Sequence, residues 1–516
     1  MTHDSHLLSP HPPGEQPLVV EGEPTGVGVD VDSFGGTVRV EWDHEAAMTP
    51  LGQLPFFVDY LKTAGLFDAF VADCPLRYGS PNAPKKRDVL GTAMLAMLAG
   101  AKRYAHVAAV RGDGVLPELL GMTKVVSEDA IRRAFKAIDE KEGAAWLRRH
   151  LAFCVEPLLA EPWILDVDTT IKPLYGHQEG AVLGYNPKKP GRPSHCYHTY
   201  SMASTRLVFD VDVSPGDEHT SKHSAPGLWA FLDRLPRDLW PALLRGDSGF
   251  GNEGVMREAE ARRLPYLFKL RLTKNVRRMI EKLSGREWVN AGQGFWAKES
   301  KVRLEGWSRQ RRAIVLRRRL KGAMGLSYED ENGAPQLTFA EIGEATEIYE
   351  YSVLVTSLDE ETDAFGQLYR DRGDDENIFD EMKNQWGWGG FTTHDLARCR
   401  LAARMLALVY DWWNIFVRLA DPNLHREAIT SRPLFLSAVA TRTRHARQTT
   451  IRVTSSHARA KPAARALAAV AGFLRGLAQS AEQLTSLQKW RAIVSRAFRA
   501  FLNGSPIRPP PRLAPC

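Results

Sequence analysis

The sequence predicts an α/β protein flanked by helical regions, and three observations carry that prediction. Between residues 163 and 272, short apolar runs rich in β-branched and aromatic residues alternate with amphipathic helical patterns. From Leu51 to about Leu158, apolar residues recur at three- and four-residue steps. Beyond Asn423, two further helical patterns follow a strongly basic segment. At 516 residues the chain is long enough for a large core and, at about 150 residues per domain, for several domains.

Residues 1–45 are rich in Pro, Gly and acids, lack the apolar stretch of a signal peptide, and are expected to be a disordered tail. The helical region follows over residues 46–158. Its last segment starts at Ser127, an N-cap residue type, and carries Arg132, Arg133 and Lys136 on its wet side. Those three cations suit either a DNA-recognition helix or an ordinary solvated face. The apolar run Val89 to Ala101 is shorter than the ~18 residues of a membrane span and reads as a buried helix.

Residues 159–273 supply the first part of the α/β core, with strands expected at Trp163 to Asp168, His195 to Met202, Leu207 to Val213, Ala242 to Asp247 and Tyr266 to Leu272. Helical patterns cover His223 to Leu235 and Gly254 to Arg263. Residues 274–345, with Trp288, Trp296, Trp307 and the basic run Arg312 to Leu320, read as an inserted β subdomain. Its cations could track an anionic backbone, while most of its indoles are expected in the core. Residues 346–422 return to the core through a strand at Ile348 to Leu358 and end in a long apolar helix, Leu396 to Leu419. A basic helical region, 423–503, opens on a loop carrying Arg442, Arg444 and Arg452, and a proline-rich tail, 504–516, closes the chain.

Lysine and arginine number 68 against 61 acids, a formal charge of +7, which allows an anionic partner. The five cysteines are scattered, with no Cys-x-x-Cys pair; that excludes a disulfide framework, argues against a zinc site and fits a reducing cytoplasm.

The stretch with most chemistry is Tyr369 to Lys383. Tyr369, Arg372, Glu376 and Lys383 are spaced three, four and seven residues apart, which keeps them on one face of a helix. A carboxylate among groups that hold phosphate suits metal-assisted attack on a phosphodiester, provided more carboxylates join it. Candidates are Asp168 and Asp247, each ending a predicted strand; strand alternation puts Asp166 on the same face as Asp168, so either could be the ligand. The loop Asn186 to Pro193 presents Lys188, Lys189 and Arg192 on a frame stiffened by prolines, as a phosphate contact or as a solvated hairpin connection.

These residues carry a resemblance. Asp168-Thr169-Thr170, the block Gly184 to His195, Arg245-Gly246-Asp247-Ser248, the spaced Tyr369, Arg372, Glu376 and Lys383, and Asn384 to Gly390 resemble, in this order, DDE transposases of bacterial insertion sequences. Within the branch marked by the Tyr, Arg, Glu, Lys signature they are most similar to the insertion-sequence-1380 family, over roughly Leu51 to Leu419. The resemblance implies a ribonuclease-H-like catalytic core and makes Asp168, followed by Thr as in the family, the preferred aspartate. It implies that Asp168, Asp247 and Glu376 hold two Mg²⁺ or Mn²⁺ ions, and that Tyr369, Arg372 and Lys383 grip DNA phosphates. The implied activity is cut-and-paste transposition: binding of terminal inverted repeats, cleavage, and joining to target DNA, by a homodimer assembled on DNA in the cytoplasm at the nucleoid. A nuclease of the same fold without joining activity, and a domesticated, catalytically silent DNA-binding protein, are the alternatives.

Overall fold

The computed structural model describes residues 28–43, 47–186, 189–218, 220, 223–283, 287–319, 328–329, 335–336, 339–341, 347–446, 448–455, 458–480 and 483–503; within these, the side chains of 328–348 and 374–376 are outside the description. Lys188, most of the expected N-terminal tail and all of the C-terminal one lie outside the described residues. The chain divides into two units, residues 1–47 and 48–516.

The first unit corrects part of the expected tail. Val29–Ser33 pairs antiparallel with Gly36–Val40, every strand residue exposed. The alternation of Val and Asp around a Gly-Gly turn explains it, since Gly36 takes φ +110°, a conformation costly for any other residue. Polar cross-strand contacts such as Thr37 to Asp32 (2.8 Å) take the place of a core.

The second unit begins with helices α1 (Leu54–Thr63), α2 (Leu66–Asp73), α3 (Lys86–Leu98), α4 (Glu128–Lys136) and α5 (Glu140–Val155). Ser127 caps α4 as its residue type predicts, accepting from the Ala130 N–H. The apolar run of α3 is buried, and no helix among the described residues is long and apolar enough to cross a membrane.

The sheet then forms from β1 (Ile164–Pro173), β2 (Ser194–Met202), β3 (Leu207–Pro215), β4 (Leu243–Gly246) and β5 (Tyr266–Lys269), with α6 (Ser224–Leu232) after β3 and α7 (Glu253–Ala261) between β4 and β5. Its order here is β3-β2-β1-β4-β5, antiparallel across β1 to β3 and parallel from β1 through β4 to β5. Central β1 is buried at Leu165, Asp166 and Val167.

Beyond β5 come α8 (Lys274–Glu281), β6 (Val289–Asn290), β7 (Phe295–Val302), β8 (Arg311–Arg319) and β9 (Glu347–Thr356). The expected separate β subdomain is not a second sheet. Strand β9 pairs with β5 on one side and β8 on the other, so β9-β8-β7-β6 continue the main sheet, and the short strand Phe339–Glu341 also pairs with β9. Much of the basic run is already partnered: buried Arg311 holds Glu253 and Glu260, Arg312 holds Glu299, and Arg317 lies over Trp288 and Tyr349. Trp307 is core, Trp288 half-buried, and Trp296 exposed.

The chain continues through α9 (Ala364–Arg370), α10 (Gly373–Asn384), α11 (Leu396–Ala420) and α12 (Ala428–Phe435), then β10 (Ala440–His445), β11 (Gln448–Val453), α13 (Ala460–Ala478) and α14 (Ser486–Ala497). Asp395 caps α11 by accepting from the Arg398 N–H, and nearly every residue of α11 from Leu401 onward is buried. Helices from both ends of the chain pack around it: Phe57 of α1 lies 5.5 Å from Trp413 and 5.3 Å from Phe416, Phe70 of α2 lies 5.4 Å from Trp412, and Arg418 sits over Phe498 just beyond α14. The segments 46–158 and 423–503, read separately from sequence, thus share one helical layer. The basic loop expected around Arg442 is instead the β10–β11 hairpin, whose alternating Thr and Arg suit a strand.

Candidate active site

Strand alternation sends Asp166, Asp168, Thr170 and Lys172 of β1 to one face, and three basic residues converge on it. Arg245 of β4 holds Asp166 through two hydrogen bonds of 2.6 Å, both side chains fully buried, and its third nitrogen donates to the Leu368 carbonyl. Arg372 donates to Asp168 Oδ2 at 3.0 Å, and Lys383 donates to the Thr170 hydroxyl. Asp168 Oδ1 accepts from the Thr169 N–H at 2.6 Å.

Asp247 arrives through register. The parallel ladder pairs Asp166 with Arg245 and Val167 with Gly246, so the next residues along the two strands are Asp168 and Asp247. A tight turn holds Asp247 half-buried, with the Gly249 N–H donating to Oδ1 at 2.9 Å. A Cβ on Gly249 would lie 2.6 Å from Thr220 Oγ1 and 3.0 Å from Asp247 Oδ1, so glycine lets Thr220 approach this turn.

The signature stretch is not one uninterrupted helix. Helix α9 ends at Arg370 and α10 starts at Gly373, with Arg372 at the junction, its N–H bonding back three residues to Tyr369. Gly373 is the first residue of α10. Tyr369 packs beside a small apolar cluster with Leu243 and Phe365, and the Arg372 guanidinium lies 5.8 Å from its ring. Position 376 lies on α10 between Arg372 and Lys383; the Glu376 side chain is outside the described residues. After α10, Gly390 permits a close approach, since a Cβ there would lie 2.0 Å from the Lys102 carbonyl oxygen.

Residues 79–473 match the family model of the transposase DDE domain, group 1. The chain belongs to this family. No curated protein matches it. Among solved structures the chain is similar to a piggyBac transposase synaptic complex with hairpin DNA, determined by cryo-EM, at 11% identity over 87% of this chain and 85% of that one, with a TM-score of 0.37.

In this DDE-transposase-family chain, the structure brings Arg372 to Asp168 and Lys383 to Thr170 on β1, and puts Asp168 and Asp247 next after the last paired residues of the β1–β4 ladder. Lys189 and Arg192 gather elsewhere, both over the exposed Tyr175 ring, with Lys189 also bonded to its hydroxyl; that bond pulls the Tyr175 pKa below the ordinary phenol value. Arg132 contacts Asp129 and the Tyr104 ring, while Arg133 and Lys136 are exposed on α4, so none of these three touches the β1 face through a described contact. Among the described residues, which leave out the Glu376 side chain, no group of three or more Asp, Glu, His or Cys is placed to hold a metal ion.

Sequence reasoning missed the support on the other face of β1. Thr169 Oγ1 lies 3.0 Å from His198 Nδ1 on β2, and the His198 ring stacks 4.7 Å from His223. His223 bridges Asp212 (3.0 Å) and Glu218 (2.9 Å), and its bond to Asp212 raises its pKa above the usual histidine value. Although burial opposes ionisation of Asp212, His223, Arg404 and Arg400 hold its pKa far below the usual carboxylate range. Spacing hid this network, because its members come from β2, β3, α11 and the start of α6. The missed role of Arg245 did have a signal: it lies two residues before Asp247, as Asp166 does before Asp168.

Proposed function

We propose that this chain is a ribonuclease-H-like DNA transposase of the insertion-sequence-1380 type, which cuts at the terminal inverted repeats of its element and joins the freed ends to target DNA. The observation that carries the reading is the convergence on β1: Asp168 receives Arg372, Thr170 receives Lys383, and α10, which starts just after Arg372 and bears Lys383, also carries position 376. The order β3-β2-β1-β4-β5, with Asp168 and Asp247 next after the last paired residues of the two parallel central strands, supports the ribonuclease-H-like core.

The donor set fits divalent ions of the Mg²⁺ or Mn²⁺ kind, because Asp168, Asp247 and Glu376 offer only oxygen and the first two are neighbours by register. Two bound ions would supply stabilisation of charge on the attacking and leaving oxygens of a phosphodiester. The chain's own groups do the rest. Arg372 offsets the Asp168 charge and presents a planar fork to a phosphate, Lys383 offers a point charge, and the Tyr369 hydroxyl a neutral donor. Thr169, held by His198, fixes the backbone beside Asp168. Asp166, neutralised by Arg245 inside the sheet, serves the fold and leaves the ligand role to Asp168. Two ends must meet before joining, so the active form is a homodimer on DNA.

The test is cleavage of DNA flanking the chain's own gene, with Mg²⁺ or Mn²⁺, alongside Mn²⁺ binding by calorimetry. Glu376→Gln, Asp168→Asn and Asp247→Asn should abolish cleavage and weaken Mn²⁺ binding while DNA binding survives. Wild-type cleavage by Glu376→Gln would refute the site.

A further inference from the structure

The β10–β11 hairpin is a polar ribbon with almost nothing beneath it. Only Ala440 is buried, Arg442 and Ile451 are half-buried, and every other described residue of its two strands is exposed. A two-stranded hairpin is marginal in water by itself. Here its base is held by the short strand Met48–Thr49, which pairs with Ala440 and Thr441, and by an ion pair from Arg442 to Glu118. Alternation turns Arg442 and Arg444 toward Glu118 and leaves Thr441, Thr443, Thr450 and Arg452 on the opposite face, where cross-strand register sets Thr441 beside Arg452 and Thr443 beside Thr450.

The surrounding sequence is one-sided in charge. From Ala428 to Ala481 there is no Asp or Glu, against nine Lys and Arg, although the whole chain carries only +7. A face of hydroxyls and guanidinium with no acid in its segment repels cations and offers donors to an anion. A two-stranded ribbon about 20 Å long matches a DNA groove about 12 Å wide, where Thr and Arg side chains reach phosphates and base edges.

We propose that the β10–β11 ribbon is a DNA-docking arm, and that double-stranded DNA covers its Thr441, Thr443, Thr450 and Arg452 face. The inference rests on the transposase reading above and extends it to a surface outside the β1 site. Contact through the backbone makes the arm serve any duplex, so it adds affinity more than sequence choice.

The experiment uses the full chain and a 30-base-pair duplex of arbitrary sequence, titrated at several salt concentrations. The variant Arg452→Thr removes the cation of the docking face, keeps a strand-forming residue and touches nothing in the β1 site. Its affinity should fall several-fold and its log–log salt slope by about 1, with the melting temperature unchanged. A photo-crosslinking residue in place of Thr443 should label the DNA. Unchanged affinity and slope in a variant of a wild-type chain that does bind the duplex would overturn this inference alone; so would crosslinks from position 443 that join two copies of the chain. A wild-type chain that binds no duplex would overturn the transposase reading and this inference together.

Discussion

Replacing Asp166 and replacing Asp168 should give opposite phenotypes, although the two acids sit two residues apart on one face of one strand. Asp166→Asn leaves Arg245 fully buried with one acceptor where two bonds of 2.6 Å had been, and directs an amide N–H at a guanidinium. Breaking a buried pair by removing one partner costs about 3–5 kcal/mol, a factor of roughly 10²–10⁴ in the folding equilibrium. Asp168 has 12% of its side chain exposed, and its bonds from Arg372 and the Thr169 N–H go to different oxygens, so Asp168→Asn keeps one of the two at a partly exposed position and should cost less, about 1–3 kcal/mol. The assay is urea unfolding of both variants, with cleavage measured per folded molecule well below either midpoint. Asp166→Asn should unfold earlier yet still cut, and Asp168→Asn should stay folded and fail to cut. An Asp166→Asn protein as stable as wild type, or a cutting Asp168→Asn protein, would refute the division of labour drawn from the sheet.

Lys383→Ala removes a donor to Thr170 without removing an oxygen ligand, so strand joining should fall more than first-strand cleavage, and excess Mn²⁺ should not restore it in a gel-based joining assay. Asp411 lies fully buried on α11, accepting from the Val208 N–H, and burial pushes its pKa well above the usual carboxylate value. The folded chain therefore keeps a proton that the unfolded chain releases above about pH 4, so stability falls as pH rises from there; Asp411→Asn should match or exceed wild type at pH 7 in thermal melts, by a margin smaller at pH 5. His223 has the reverse origin and the same direction. Its folded pKa is raised by Asp212, so the stability it contributes is full below about pH 6.5 and is lost as pH rises through the folded value; His223→Gln should flatten the melting temperature against pH in that window.

The parts of this fold visible in the sequence are those with local causes. Strands β1 to β5 announce themselves as apolar runs bounded by turns, α11 as a long apolar helix behind an Asp cap, and α4 by the side chain that caps it. What escaped depends on distant partners. The strands after β5 read as β structure, but only β9, returning beside β5, shows that they continue the same sheet. Asp166 and Asp168 are equivalent by alternation until Arg245 arrives from β4 and Arg372 from the α9–α10 junction to give them different partners. The hairpin at Val29–Val40 was legible in its Val-Asp alternation and was masked by the acidic, Gly-rich composition around it.

The burial of α11 on all sides has a consequence for the order in which the chain can assemble. Helices α1 and α2 are 10 and 8 residues long, too short to persist alone in water, and the α11 aromatic residues beside them, Trp412, Trp413 and Phe416, are synthesised roughly 350 residues later. At ~5–20 residues per second the ribosome takes about 20–70 s to deliver them. Until then, Phe57 and Phe70 have none of these rings to pack against. A chain broken off before Leu396 should thus loosen α1 as well as lose the missing part, while α2 keeps the stack of Phe70 on Trp146, and a nascent copy should complete its helical layer only near the end of translation.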